Sequence, residues 1–122
     1  MYHISKMEKE IARIKTKAGG AQGYMYSLTA LSSGEYPVMS WGHKLPTSNV
    51  ELGFGDVWKF GETSSKSDRY SSSVKEAIGI GGVQENQLYF GNQVQIKVAE
   101  KIAIYGYFLN NGHLPPGNKI FR

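Results

Sequence analysis

The chain contains no cysteine, which excludes a disulfide framework and any thiolate metal site, so stability rests on packing alone. No apolar run approaches the ~20 residues of a membrane-spanning helix. The first twenty residues are charged throughout, unlike a secretion signal. Histidine is sparse, and His3, His43 and His113 are too scattered for a zinc spacing; no HExxH motif is present. The glycine-rich pieces lack the strand-to-helix context and the Lys-Ser/Thr ending of a phosphate loop, and no serine sits in a GxSxG motif. Excess charge is also scarce outside one segment. The net charge is +4, but Lys6, Lys9, Arg13, Lys15 and Lys17 stand against only Glu8 and Glu10 in residues 1–20, so the remainder is close to neutral. The basic balance therefore says little about partners of the body.

At 122 residues the chain can build one modest core and is too short for two. Ile4, Met7, Ile11, Ile14 and Ala18 recur at spacings of three and four, which predicts an amphipathic helix ending at Gly19-Gly20. Residues 1–20 thus form an N-terminal helix or a connector from a larger parent polypeptide, and 21–122 form the domain proper. Residues 24–30 have strand composition, with Tyr24, Tyr26 and Leu28 on one face and Met25, Ser27 and Thr29 on the other. Between 31 and 55 the glycines and prolines predict mostly turn and loop, with room for a short strand over 36–41. His43 and Lys44 are its plausible substrate contacts, set against an ordinary solvated loop.

Residues 56–70 organise the rest. Val57, Trp58 and Phe60 suit a strand that Lys59 interrupts. Gly61 and the polar run after it lead to a helix over 69–78 opened by Ser67 or Asp68 and carrying Arg69. A third strand is expected through Leu88, Tyr89 and Phe90, and a long helix over 92–110. On that helix Val94, Val98, Ile102, Tyr105 and Leu109 make the expected core stripe, with Lys97 and Lys101 off it and Glu100 beside Ile96, Ala103 and Tyr107. A carboxylate among apolar groups carries a desolvation cost unless a cation offsets it. The fold class is therefore α+β, a small three-stranded antiparallel sheet flanked by helices.

The run Lys59-Phe60-Gly61-Glu62-Thr63 followed by Arg69 resembles the second half of the GIY-YIG nuclease signature, in the branch with lysine at the tyrosine of YIG. Gly23-Tyr24-Met25-Tyr26 fits the first half on a neighbouring strand. Glu100, and Asn118 in Pro115-Pro116-Gly117-Asn118, fall in the order the signature requires. Family members often carry a histidine one turn past the arginine; here that place is Ser73, which puts a catalytic use of that helix face in question. The resemblance implies a metal-dependent endonuclease cutting DNA, or RNA, with one magnesium or manganese ion held by Glu100. It implies Arg69 on the scissile phosphate, Tyr26 and Lys59 orienting or activating water, and Asn118 holding the site together. The endings of these motifs resemble C-terminal toxin modules of bacterial polymorphic, Rhs-type secreted proteins. That implies an effector acting in the cytoplasm of a target cell, with a cognate immunity protein as partner. A non-catalytic nucleic-acid-binding or protein-interaction domain of the same fold is the alternative.

Overall fold

The computed structural model describes residues 2–15, 22–63, 75 and 77–120. Helix α1 (Tyr2–Lys15) is followed by strands β1 (Gln22–Ala30), β2 (Gly34–Val38), β3 (Ser48–Leu52), β4 (Val57–Thr63) and β5 (Val83–Asn92), and then by helix α2 (Gln93–Asn111). The architecture is α+β: a three-stranded antiparallel sheet of order β4-β1-β5 and a separate two-stranded sheet, β2-β3. Within the expected loop of 31–55, the hairpin is a correction. Ser48-Asn49-Val50-Glu51-Leu52 alternates weakly and is polar on one side, so it reads as loop until Val50 and Leu52 are seen to face the core.

β1 is the central strand, and from Gly23 to Leu28 every residue is buried. Its even positions, Tyr24, Tyr26, Leu28 and Ala30, pack with Tyr36 and Leu52 of the second sheet and with Trp58. Its odd positions lie under α2. Glu62, opposite Met25, is bonded to Lys97 at 2.9 Å, and a Cβ at Gly91, opposite Gly23, would meet the Gln95 side chain. The sheet is thus covered by α2 on one face and by the β2-β3 hairpin on the other.

β4 and β1 lose register by one residue, because Leu28 pairs with Lys59 but Thr29 pairs with Val57. Trp58 is the extra residue of this bulge. A bulge re-aims side chains, and Trp58 joins the even-face core, donating its indole N–H to Pro37 O at 2.8 Å. Trp58 and Lys59 therefore lie on one side, where simple alternation would have separated them.

α2 opens with a capping box. Asn92 Oδ1 accepts from Gln95 N, and Gln95 Oε1 from Asn92 N, each at 2.9 Å. It closes at Gly112, whose φ of 80° suits a residue without Cβ. The expected core stripe is displaced: Ile96, Lys101, Ile104 and Tyr105 are the buried residues, while Ile102 and Leu109 are exposed. The reason is a second neighbour. α1 packs along α2, where Glu10 bonds Lys101 Nζ at 3.0 Å and accepts from the Tyr105 hydroxyl at 3.0 Å, so a lysine expected off the core stripe is buried beside its ion-pair partner. His3 stacks against Phe108 at 4.5 Å on the same seam. Of the helix expected over 69–78, only Lys75, Ala77 and Ile78 are described, with helical backbone at Lys75 and Ala77.

Candidate active site

The two halves of the sequence signature are hydrogen-bonded neighbours. Tyr26 stands opposite Gly61, and a Cβ on Gly61 would overlap the Tyr26 hydroxyl. Glycine here is a packing requirement, because the tyrosine ring lies across the backbone of the partner strand. Tyr26 is 1 % exposed and meets Tyr24 edge-on at 6.2 Å. The Tyr24 hydroxyl in turn donates to Glu85 Oε2 at 3.0 Å. Lys59 is half-buried two positions before Gly61, on the same face as Tyr26.

Asn118 is held against β4. Its Oδ1 accepts from Phe60 N and its Nδ2 donates to Phe60 O, both at 2.9 Å, while Gly117 N donates to Trp58 O at 2.6 Å. These bonds occupy the outer edge of β4 as a neighbouring strand would. A Cβ on Gly117 would press on the Trp58 ring and on Lys59 Cβ at 2.8–2.9 Å, so the C-terminal segment runs directly beside Lys59. Asn118 thus braces the stretch that carries Lys59 by satisfying both backbone groups of the next residue.

Glu100 belongs to the other layer. Positions four apart share a helix face, and Glu100 lies between Ile96 and Ile104, both fully buried, so it is half-buried on the sheet-facing side of α2. That side covers the odd face of β1, whereas Tyr26 and Lys59 lie on the even face. The structure brings Tyr26, Lys59 and Asn118 to one strand pair and carries Glu100 across the sheet from them. Arg69, with Ser73, lies outside the described residues.

The carboxylate that Lys97 of α2 reaches on this side of the sheet is Glu62. Lys97, three residues before Glu100, holds Oε1 of Glu62, while Oε2 of Glu62 is buried and has no hydrogen-bond partner among the described residues. Carboxylate oxygens with vacant lone pairs are what magnesium and manganese take, usually with waters completing the shell. Among the described residues no group of three or more His, Cys, Asp or Glu side chains converges on one point.

Two open clefts flank the C-terminal segment. One of about 360 Å³ is lined by Trp41, Lys59 and residues 117–120. The other, about 420 Å³, lies between the hairpin and residues 113–119 and also includes Trp41. His113 is exposed with Nδ1 2.8 Å from Leu114 O and its ring edge-on to Tyr107. Burial raises the Tyr107 pKa above its ordinary value, and the nearby charge of Asp56 adds to the rise. His43 is exposed, and its carbonyl accepts from Lys119 Nζ at 2.7 Å. Sequence reasoning passed over Trp41 and Lys119. The signal for the former was a large aromatic at the end of the short strand expected over 36–41, next to Gly42 and a polar loop.

No helix among the described residues is long and apolar enough to cross a membrane. Comparison with protein-family models, with curated proteins and with solved structures gives no match to this chain.

Proposed function

We propose that the chain is a GIY-YIG-type, metal-dependent endonuclease, acting as an antibacterial toxin module against nucleic acid of a target cell. The observation that carries this reading is the pairing of the two signature halves, with Tyr26 laid over Gly61 and Asn118 bonded to Phe60 between Lys59 and Gly61. These residues were singled out by order in the sequence, and their adjacency in space is what a shared site requires.

In this reading Lys59, which lines an open cleft, contacts the phosphate and the attacking water. Tyr26, buried on the same face opposite Gly61, packs the strand pair that carries it. Glu100 is the metal ligand, with Glu62 as the neighbouring oxygen donor. A magnesium or manganese ion held there would supply stabilisation of charge developing on the phosphate. Arg69 neutralises the scissile phosphate, a task suited to a planar donor fork. A larger parent polypeptide for delivery and an immunity protein covering the cleft complete the proposal.

A non-catalytic nucleic-acid-binding domain is the second reading, favoured by the placement of Glu100 across the sheet from Lys59. Incubation with plasmid DNA and total RNA, with magnesium, with manganese and with chelator, separates the two. Metal-dependent nicking or degradation that Glu100→Gln abolishes, with the fold intact by circular dichroism, supports the nuclease. Full activity of Glu100→Gln removes Glu100 from the site. Binding without cleavage by the wild type under every metal condition supports the second reading.

A further inference from the structure

The chain has two tryptophans and uses them differently. Trp58 is 6 % exposed in the core, whereas Trp41 is 73 % exposed on the loop that joins β2 to β3. That loop is braced. Thr47 N donates to Val38 O at 3.0 Å, Ser40 and Thr47 share a hydroxyl hydrogen bond of 2.7 Å, and Lys119 Nζ ties His43 O to the C-terminal segment. The indole is therefore displayed from an ordered neck, at the junction of both clefts.

Charge along the hairpin is segregated. Glu35 and Glu51 face each other near its far end. Lys44 is on the turn, and Lys59 and Lys119 line the cleft that Trp41 walls. A ligand drawn to this end must carry negative charge and offer a flat apolar face. A nucleotide does both, because its phosphate matches the lysines and every base has a face that stacks on an aromatic ring.

We propose that Trp41 is a stacking platform for an unpaired base of a nucleic-acid strand lying in the cleft over Lys59 and Lys119, so that the protein engages single-stranded or splayed nucleic acid in preference to intact duplex. This rests on the nuclease reading in that Lys59 is common to both. Base stacking needs a base out of its duplex, and Trp41 offers a whole exposed indole at a distance from the backbone contacts. The two lysines hold the strand by charge and carry no sequence information.

The test is a titration of the full chain in chelator, where nothing is turned over, into fluorescein-labelled probes whose anisotropy reports binding for every variant, with tryptophan emission followed alongside for the wild type. The probes are a ten-residue oligothymidylate, a ten-residue oligouridylate and a DNA duplex of equal length. Both single strands are expected to quench the emission and to bind more tightly than the duplex, and their ranking distinguishes DNA from RNA. Trp41→Ala should weaken single-strand binding by about 5- to 150-fold, the range for loss of one base–aromatic stack. Trp41→Phe, which keeps a ring, should lose less. Lys119→Ala should reduce the salt dependence of binding, as one fewer phosphate is neutralised.

Undiminished single-strand affinity in folded Trp41→Ala, preference for the duplex, or no binding of any oligonucleotide overturns the inference. Cleavage by a Trp41→Ala protein of undiminished affinity leaves the nuclease reading standing without it. Trp41-dependent binding by a wild type that cleaves nothing with either metal leaves stacking standing and removes the nuclease.

Discussion

Asn118→Asp changes a side chain's chemistry while leaving its shape, and the consequence can be worked from two bonds. Asn118 is 7 % exposed, accepting from Phe60 N and donating to Phe60 O, each at 2.9 Å. The aspartate keeps the acceptor but sets a carboxylate oxygen against the Phe60 carbonyl. One lost hydrogen bond costs ~1 kcal/mol, and two buried acceptors facing each other add ~1–3, so the expected loss is about 2–4 kcal/mol at neutral pH. With an unfolding entropy of ~2.1 cal/mol/K per residue, that lowers Tm by about 8–16 °C.

The loss should depend on pH with a defined sign. Burial and the facing carbonyl disfavour the charged form, so the folded pKa of the new aspartate lies above its unfolded value of ~3.9. A protonated carboxyl can donate to Phe60 O and restore the missing bond. The restored stability is fully present below the unfolded pKa and is lost as pH rises through the folded one. Thermal unfolding of both proteins at pH 4, 5, 6 and 7 should show a wide gap at pH 7 that narrows steadily toward pH 4. A gap independent of pH, or none at pH 7, refutes the reasoning.

The seam between α1 and α2 gives a second pH signature. Burial pushes the Glu10 carboxyl up, but hydrogen bonds from Lys101 and Tyr105 and the charges of Lys101 and Lys6 outweigh it and hold the pKa below its ordinary value. Its stabilisation is therefore present above the unfolded pKa and lost as pH falls through the lowered folded one; Glu10→Gln should flatten this acid dependence in urea midpoints measured from pH 7 to 3. Lys101→Ala leaves that carboxylate without its cation and should cost ~2–4 kcal/mol at pH 7, more than Lys101→Met, which refills the volume; equal midpoints for the two would show that packing alone matters. Lys59→Ala and the milder Glu100→Asp, combined in a double-mutant cycle on residual cleavage rate, should show losses well short of additive, because groups acting in one transition state fail together. Additive losses would place them in separate sites.

The layers were legible where a pattern is set by one neighbour. The alternation of residues 24–30 marked β1, and the strand composition after Asp56 marked β4. Asn111-Gly112 marked the end of α2. The pattern failed where two neighbours compete for one surface. A helical wheel puts Lys101 off the core stripe, yet α1 packs beside it and Glu10, ninety-one positions earlier, pairs with it. Val50 and Leu52 are flanked by Asn49 and Glu51, and only pairing with β2 reveals them as an inward face. At Trp58 the bulge inserts one residue, and no sequence periodicity announces it.

That inserted residue decides the geometry of the candidate site. In regular alternation Trp58 and Phe60 would share a face and Lys59 would oppose both; the bulge instead brings Trp58 round to the side of Lys59. The indole fills the core beneath the hairpin, while the lysine stem is squeezed outward between Gly117 and the cleft. Tyr26 is sealed by Gly61, so Lys59 is the member of the pair that reaches solvent. Glu62 of β4, opposite Met25, lies on the other face of the sheet, the one that α2 and its Glu100 cover. Because Asn118 and Gly117 occupy the outer edge of β4 at Phe60 and Trp58, the proposed nuclease requires a phosphodiester touched by both Lys59 and Glu100 to pass the strand beyond that brace, toward Thr63.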